Sequence, residues 1–553
     1  MAAVENATPT TSSTDVQAIS DEQKPVKKGY GWRFWAIFPG LCIGGLLSAL
    51  DTTILSTVLP TISHELDSQE LYVWAINGYF VSQTAVQPLY GQVANIFGRR
   101  WPMILSVALF ALGSGLCGGA SSTEMLIAAR VIQGLGGGGI NVMTEIIVAD
   151  LVPLRERQQI MGIVFTAFAV GTFIGPVVGG AIVDNTSWRW VFYINLPLCG
   201  VTLILMLLFL HVNYDRQSTV TAKLKRVDFA GNAILITSVI SILLALTWAG
   251  TTHPWKSWRT IVPLLLGFAG MVAFLVYQGS RWCLEPTMPL RLFANRTAAI
   301  TYVLSFLHGI ILYWVSLFLP VYFQSILEAT PEKSGIDLFA SVIPMVPAAI
   351  IGGVLITVTG KYKELLVAGF VLMAVGMGLF TMLDDRTNTV RWVVYQVVLA
   401  LGSGISLIAT LPAVLASLPE SDVATATATW AFLRSFGSIW GVSIPSAIFN
   451  TRFTDLVGRI ASPQLRSVLV GGGAYQLATK TFMESLDNTP VVKAQVVSVY
   501  VDSLKLVWQV GIAFAALGVP LSLLLRSLAL RNELNTEYGF EEKKTEVVEE
   551  VRV

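Results

Sequence analysis

Apolar runs of about twenty residues follow one another along nearly the whole chain, and that feature decides what it can fold into. A run of this length crosses the hydrocarbon of a bilayer as an α-helix. Within lipid each backbone N–H and C=O must be satisfied inside its own segment, so open-edged sheets are excluded. We place fourteen runs, at 34–60, 72–94, 101–120, 123–149, 159–183, 190–211, 229–249, 261–278, 298–325, 337–359, 365–383, 392–415, 424–449 and 505–528. The expected fold class is all-α and integral to a membrane, with the lipid bilayer as an obligatory partner.

Composition narrows the function classes. Hydrophobic residues make up 54% of the chain and charged residues 13%, and mean hydropathy is +0.66. Soluble proteins average about 45–50% and about 25%. A net charge of +1, without a basic patch interleaved with aromatics, excludes a nucleic-acid partner. Cys42, Cys117, Cys199 and Cys283 show neither a disulfide framework nor metal-ligand spacing, so no metal and no cofactor is expected. No nucleophile–base constellation points to an enzyme. Gly134-Leu135-Gly136-Gly137-Gly138-Gly139 contains a literal G-x-G-x-x-G. It lies inside an apolar run rather than between a strand and an aqueous helix start, so it reads as close helix packing.

The polar first 28 or so residues end in Lys24, Lys27 and Lys28. They lack the short basic start and apolar core of a signal peptide, so the first run is expected to act as an uncleaved anchor. An even number of spans puts both tails on one side. Short loops carrying Arg99, Arg100, Arg155, Arg157, Lys225, Arg226, Arg291 and Lys361 outweigh the opposite set by roughly two to one, which makes the tails cytoplasmic. The expected organisation is a tail at 1–33, a six-helix bundle at 34–211, a linker with two inserted helices at 212–297, a second six-helix bundle at 298–530 and a charged tail at 531–553. The second bundle carries a long outer loop, 450–504, expected to lie on the membrane interface. An internal echo supports two halves: Gly91, six residues, Gly98, Arg99 matches Gly353, six residues, Gly360, Lys361.

Ionisable groups inside the runs are the functional candidates, because each is costly unless protonated, paired or facing water. Asp51 lies deep in run one, Arg130 in run four and Arg434 near the middle of run thirteen. Arg434 is expected to pair with a carboxylate of the second half or to meet an anionic part of a substrate. His308 is either a proton relay or a satisfied bundle histidine. Trp74, Asn77, Tyr79, Gln83 and Gln87 in run two, with Tyr313, Trp314 and Gln324 in run nine, are candidates to line a cavity for a bulky amphipathic ligand. Gly171, Gly175 and Gly179 fall at i, i+4, i+8 on one helix face, beside Pro176 and Gly180. They read either as close packing or as a hinge at the seam between two moving bundles. Asn185-Thr186-Ser187 is a weak glycosylation sequon at Asn185.

These residues resemble a family. Gly91-x-x-x-Asn95-x-x-Gly98-Arg99-Arg100 resembles the loop-2/3 signature of the major facilitator superfamily. Arg130-Val131-Ile132-Gln133-Gly134 resembles its span-4 signature, and Gly171 to Gly180 its span-5 antiporter signature. Leu50-Asp51-Thr52-Thr53-Ile54 to Leu59-Pro60, and Trp188 to Pro197, resemble signatures of the fourteen-span drug:proton antiporters of fungal toxin-efflux type. The resemblance implies two six-helix bundles plus two inserted helices, alternating access, and Asp51 as proton carrier with Arg130 tuning it. It implies a monomeric exporter of small lipophilic toxins, drugs or secondary metabolites, exchanged for protons at the plasma membrane. The family usually has Asp where Asn95 stands, so Asp150 is the expected charged partner of Arg99 or Arg100 in the gate. Alternatives are siderophore-iron or basic amino acid transport, the vacuolar membrane, and a non-transporting nutrient sensor.

Overall fold

The computed structural model describes residues 31–66, 72–212, 219–249 and 253–531. Most of both expected tails, 1–33 and 531–553, lies outside them. Fourteen principal helices follow in order. The first six are α1 Trp32–Glu65, α2 Tyr72–Phe97, α3 Arg100–Gly118, α4 Thr123–Leu151, α5 Leu154–Asn185 and α6 Asn195–Phe209. Next come α7 Phe229–Trp248 and α8 Trp258–Gln278. The last six are α9 Arg296–Ser325, α10 Met345–Thr359, α11 Lys363–Phe380, α12 Thr389–Leu415, α13 Val423–Leu456 and α14 Pro490–Leu523. Short polar side chains start several of them by accepting an otherwise orphaned N–H. Ser122 does so for α4, Asp228 for α7, Asn295 for α9 and Asn388 for α12. Glycines stop or turn the chain where φ must be positive, at Gly98 (+80°) and Gly360 (+71°).

Against the fourteen expected spans, twelve described stretches are long and apolar enough to cross a membrane. The two helices that fall short are α2 and α13. Their sequences carry Asn77, Gln83, Gln87, Gln92 and Asn95, and Arg434 with several Thr and Ser. They pack against each other at the contact between the two halves, where polar side chains are buried against protein.

α1 packs on α5, and α4 lies between α2 and α3. α9 packs on α13, and α11 on α12 and α14. The two groups meet through α2 with α13 and α5 with α10. The pair α7 and α8 packs together and leans on α2, pinned by one side chain. Gln92 donates to Glu285 O (2.6 Å), and its Oε1 accepts from Asn232 (3.0 Å) and Thr287 (3.1 Å).

The expected outer loop is mostly helical. α13 continues to Leu456 and α14 begins at Pro490. The segment between them packs on the second half: Tyr500 donates to Ala474 O (2.6 Å) and Tyr475 meets Phe318 at 5.8 Å.

Candidate functional site

The glycine run of α4 builds the site. A Cβ on Gly134 or Gly138 would collide with the backbone of α2 at Tyr79 and Gln83, and one on Gly136 with that of α3 at Phe110. Only hydrogen at these positions lets α4 sit this close to both neighbours. From the other side, Gly113 of α3 leaves room for the backbone of Gln133. This fit places Arg130 and Gln133, one turn apart on α4, against Asp51 of α1.

Asp51 is fully buried, and so are its partners. Its Oδ2 accepts from Arg130 Nη1 at 2.5 Å. Its Oδ1 accepts from Gln133 Nε2 at 2.7 Å and from Asn195 Nδ2 at 3.1 Å. Arg130 also donates to Gln133 Oε1 (2.7 Å) and Ala75 O (2.9 Å), and its guanidinium lies 4.4 Å over the Tyr79 ring. Ser114 Oγ accepts from Gln133 (2.8 Å) and Asn195 (3.4 Å). Helices α1, α4 and α6 thus meet at one carboxylate, and α3 joins them through Ser114. A buried ion pair is tolerated when its remaining lone pairs and protons are also satisfied, and three donors to Asp51 meet that condition. Gln133 and Asn195 were not picked as site residues, although both lie inside the quoted motifs.

A second ion pair holds the turn between α2 and α3. Arg99 Nε donates to Asp150 Oδ2 at 2.6 Å and Arg99 Nη1 to Ala94 O at 2.9 Å. Arg100 points elsewhere, donating to Leu207 O (2.7 Å). Asn95 is half-buried in the last turns of α2. The same end of the molecule joins the two halves. Arg155 donates to Thr357 O (2.7 Å) and Val358 O (2.9 Å) at the end of α10. A Cβ on Gly91 would press on Ala428 and Thr425 of α13, and one on Gly353 on the backbone of Gln158 in α5. The first glycine of each echo, Gly91 and Gly353, therefore lies at the seam between halves.

Several expected placements are corrected. Arg434 pairs with a carboxylate of the first half: its Nη2 lies 3.5 Å from Glu145 Oε1. Glu145 was passed over, though it is a carboxylate in an apolar run. Gly171 and Gly175 face Leu46 and Thr53 of α1 inside the first bundle, which is the close-packing arrangement, while Phe173 between them meets Phe339 of the second half at 4.7 Å. Gly179 is buried, Gly180 has open space, and the side chain of Pro176 lies outside the described residues. Trp74 meets Trp248 of the inserted α7 at 6.3 Å. Trp314 is sealed inside the second bundle against Phe514 at 5.6 Å. His308 is buried in that bundle too, bonded to Ser403 O and Oγ of α12 at 3.1 and 3.0 Å. His308 thus takes the satisfied-histidine alternative, and a helix's two faces look alike in an apolar sequence, so the core position of Trp314 is not readable there. Tyr313 does face the other half, meeting Phe80 of α2 at 6.3 Å. Gln83 and Gln87 keep side-chain oxygens without a partner among the described residues, and Asn77 is half-buried on the same helix. Asn185 is exposed at the end of α5.

Two helical halves in contact, with a sealed charge network in one of them, define a multi-pass membrane protein of transporter architecture. Residues 41–442 match the Major Facilitator Superfamily. The chain is 50% identical over 524 residues to the MFS-type efflux pump LUC4 of a Fusarium species, covering 95% of this chain and 93% of that one. It is 49% identical over 544 residues to the efflux pump FUS6 of Gibberella moniliformis, covering 98% and 96%. The crystal structure of the human organic anion transporter MFSD10 shares the fold, with a TM-score of 0.54 at 15% identity, over 87% of this chain and 99% of that one. The chain belongs to the Major Facilitator Superfamily, and its substrate is accordingly a small molecule.

Proposed function

We propose that this protein is a proton-coupled exporter of lipophilic small molecules, of the kind produced as secondary metabolites or met as toxins, working by alternating access. The observation that carries the reading is the sealed network around Asp51. The carboxylate has no exposure, so a proton reaches it only when helices of the first half shift. When ionised, Asp51 holds Arg130, Gln133 and Asn195 together. When protonated, it loses its claim on Arg130, and the packing of α1, α4 and α6 loosens. Proton loading and helix arrangement are coupled through one set of hydrogen bonds. Export rather than import is supported by the names of the relatives, both called efflux pumps. A lipophilic cargo is supported by a seam lined by Phe80 and Tyr313, with Gln83, Gln87 and Arg434 as the polar groups nearby. We place the fourteen helices across the plasma membrane with both tails cytoplasmic, following the basic loops.

The test is purified protein in liposomes under an imposed pH gradient with a lumenal pH dye, comparing wild type with Asp51→Asn. A panel of lipophilic toxins should drive proton flux in the wild type, and the variant should lose it. Flux retained in the variant would leave Asp51 structural. No flux with any compound would overturn proton-coupled export.

A further inference from the structure

Glu145 and Arg434 face each other across the two halves, from α4 and α13. Their environments are unequal. Glu145 is 4% exposed. Its Oε2 has no partner among the described residues and its Oε1 meets Arg434 alone, at 3.5 Å. The Arg434 side chain is 22% exposed and also lies 4.3 Å over the ring of Trp430 on its own helix. Among the described residues no other charge lies within ion-pair distance of Glu145. α2 contains no charged residue. Arg100 of α3 and Arg155, Glu156 and Arg157 of α5 sit at the ends of those helices. On α4, Arg130 and Asp150 are engaged with Asp51 and Arg99. On α9, His308 is bonded to Ser403 of α12 and Tyr313 meets Phe80 of α2.

Opening the seam at the cytoplasmic end pulls α13 from α4. Arg434 keeps Trp430 and its share of solvent, whereas Glu145 loses the one partner it has among the described residues and stays buried. A bare carboxylate there opposes opening; a protonated one does not. We infer that Glu145 is a second proton-responsive residue, a positioning residue that latches the cytoplasmic side shut when ionised and releases it when protonated. This rests on the proton-antiport reading and deepens it. A transporter that returns to its cytoplasm-open state carrying protons needs that opening to be favoured by protonation. The latch is separate from Asp51, which lies wholly inside the first half.

The test is a distance. Cysteines introduced at exposed Gln159 on α5 and exposed Lys361 beyond α10, in full-length protein with the four native cysteines replaced, carry nitroxide labels for double electron–electron resonance. The wild type should be mostly short-distance at pH 7.5 and shift to longer distances at pH 5.5. Glu145→Gln should show the longer distances at both pH values. Glu145→Asp should keep the pH response. A Glu145→Gln distribution that matches the wild type at both pH values overturns the latch, and so does a wild type whose distance ignores pH. Should Glu145→Gln not purify as a monodisperse species, Arg434→Gln takes its place. It should likewise lose the short-distance population at pH 7.5, and retention of that population overturns the latch. Substrate-driven proton flux in liposomes is read on the same proteins. Its absence in the wild type overturns antiport, whereas flux with an unchanged Glu145→Gln distance overturns only the latch.

Discussion

Asp51 and Arg130, 79 residues apart in the chain, close a 2.5 Å ion pair in the interior of the first bundle, with neither side chain more than 1% exposed. Removing the cation alone should be severe, because the carboxylate stays behind. Breaking a buried pair from one side costs about 3–5 kcal/mol. Arg130→Ala should therefore lower the midpoint of thermal unfolding in detergent strongly, while Arg130→Lys, which keeps the charge but loses the fork of donors, should lower it less. Equal midpoints for the two variants would show that charge contributes nothing to the pair.

Asn195 tests the satisfaction of the same carboxylate. It supplies the longest of the three hydrogen bonds to Asp51 and also reaches Ser114. Asn195→Leu leaves one carboxylate oxygen with a single donor, and an incompletely satisfied buried acceptor costs about 1–3 kcal/mol. The expected result is a measurable loss of thermal stability, smaller than that of Arg130→Ala. An unchanged midpoint of thermal unfolding would mean that Gln133 and Arg130 alone satisfy the carboxylate.

How much of this was readable beforehand depends on what each residue needs in order to be recognised. Asp51, Arg130 and Arg434 stand out because a charge in an apolar run is conspicuous without any fold. Their partners do not. Gln133 and Asn195 are neutral, and their value lies in pointing at Asp51, a register set by how closely the glycines of α4 let helices approach. Glu145 was accessible to the same rule that found Asp51 and was overlooked. The echo of Gly91–Gly98 in Gly353–Gly360 was legible as a spacing, but only the structure puts both first glycines on the opposite half and both second glycines at positive φ. The core position of Trp314 was not legible, because a large apolar ring is equally at home in a bundle core or against a ligand.

The seam glycines carry the next prediction. A side chain at Gly91 would drive into α13 at Ala428, and one at Gly353 into the backbone of α5 at Gln158. Neither glycine needs positive φ, so a larger residue is tolerated by its own helix, and the penalty falls on the contact between halves. Gly91→Leu and Gly353→Leu should each leave the protein folded but unable to close at this end. Label pairs across the seam should show longer distances, and transport should fall steeply. Wild-type distances in both variants would mean that the approach of α2 to α13 and of α5 to α10 is not what closes the molecule.

Cys283 offers a chemical check on the linker. It sits in the turn after α8, where Asp228 Oδ2 lies 3.4 Å from its sulfur. Burial, followed by the nearby Asp228 carboxylate, pushes its thiol up to about 12. A thiol reacts with maleimide through its thiolate, and at an ordinary value of about 8.5 a few per cent is ionised at neutral pH. With its value raised, Cys283 should be labelled far more slowly at pH 7.5 than a cysteine introduced at exposed Lys361, although it is only half-buried. Raising the pH should speed its labelling without reaching a plateau by pH 10, because the thiolate fraction is still climbing there. Asp228 also caps α7 and accepts from Gln278 at 2.6 Å, so the slow thiol reports on the joint that fixes the inserted pair. Asp228→Asn should accelerate labelling. An equally fast reaction of Cys283 and the introduced cysteine in otherwise wild-type protein would mean that the linker does not hold Asp228 against this sulfur.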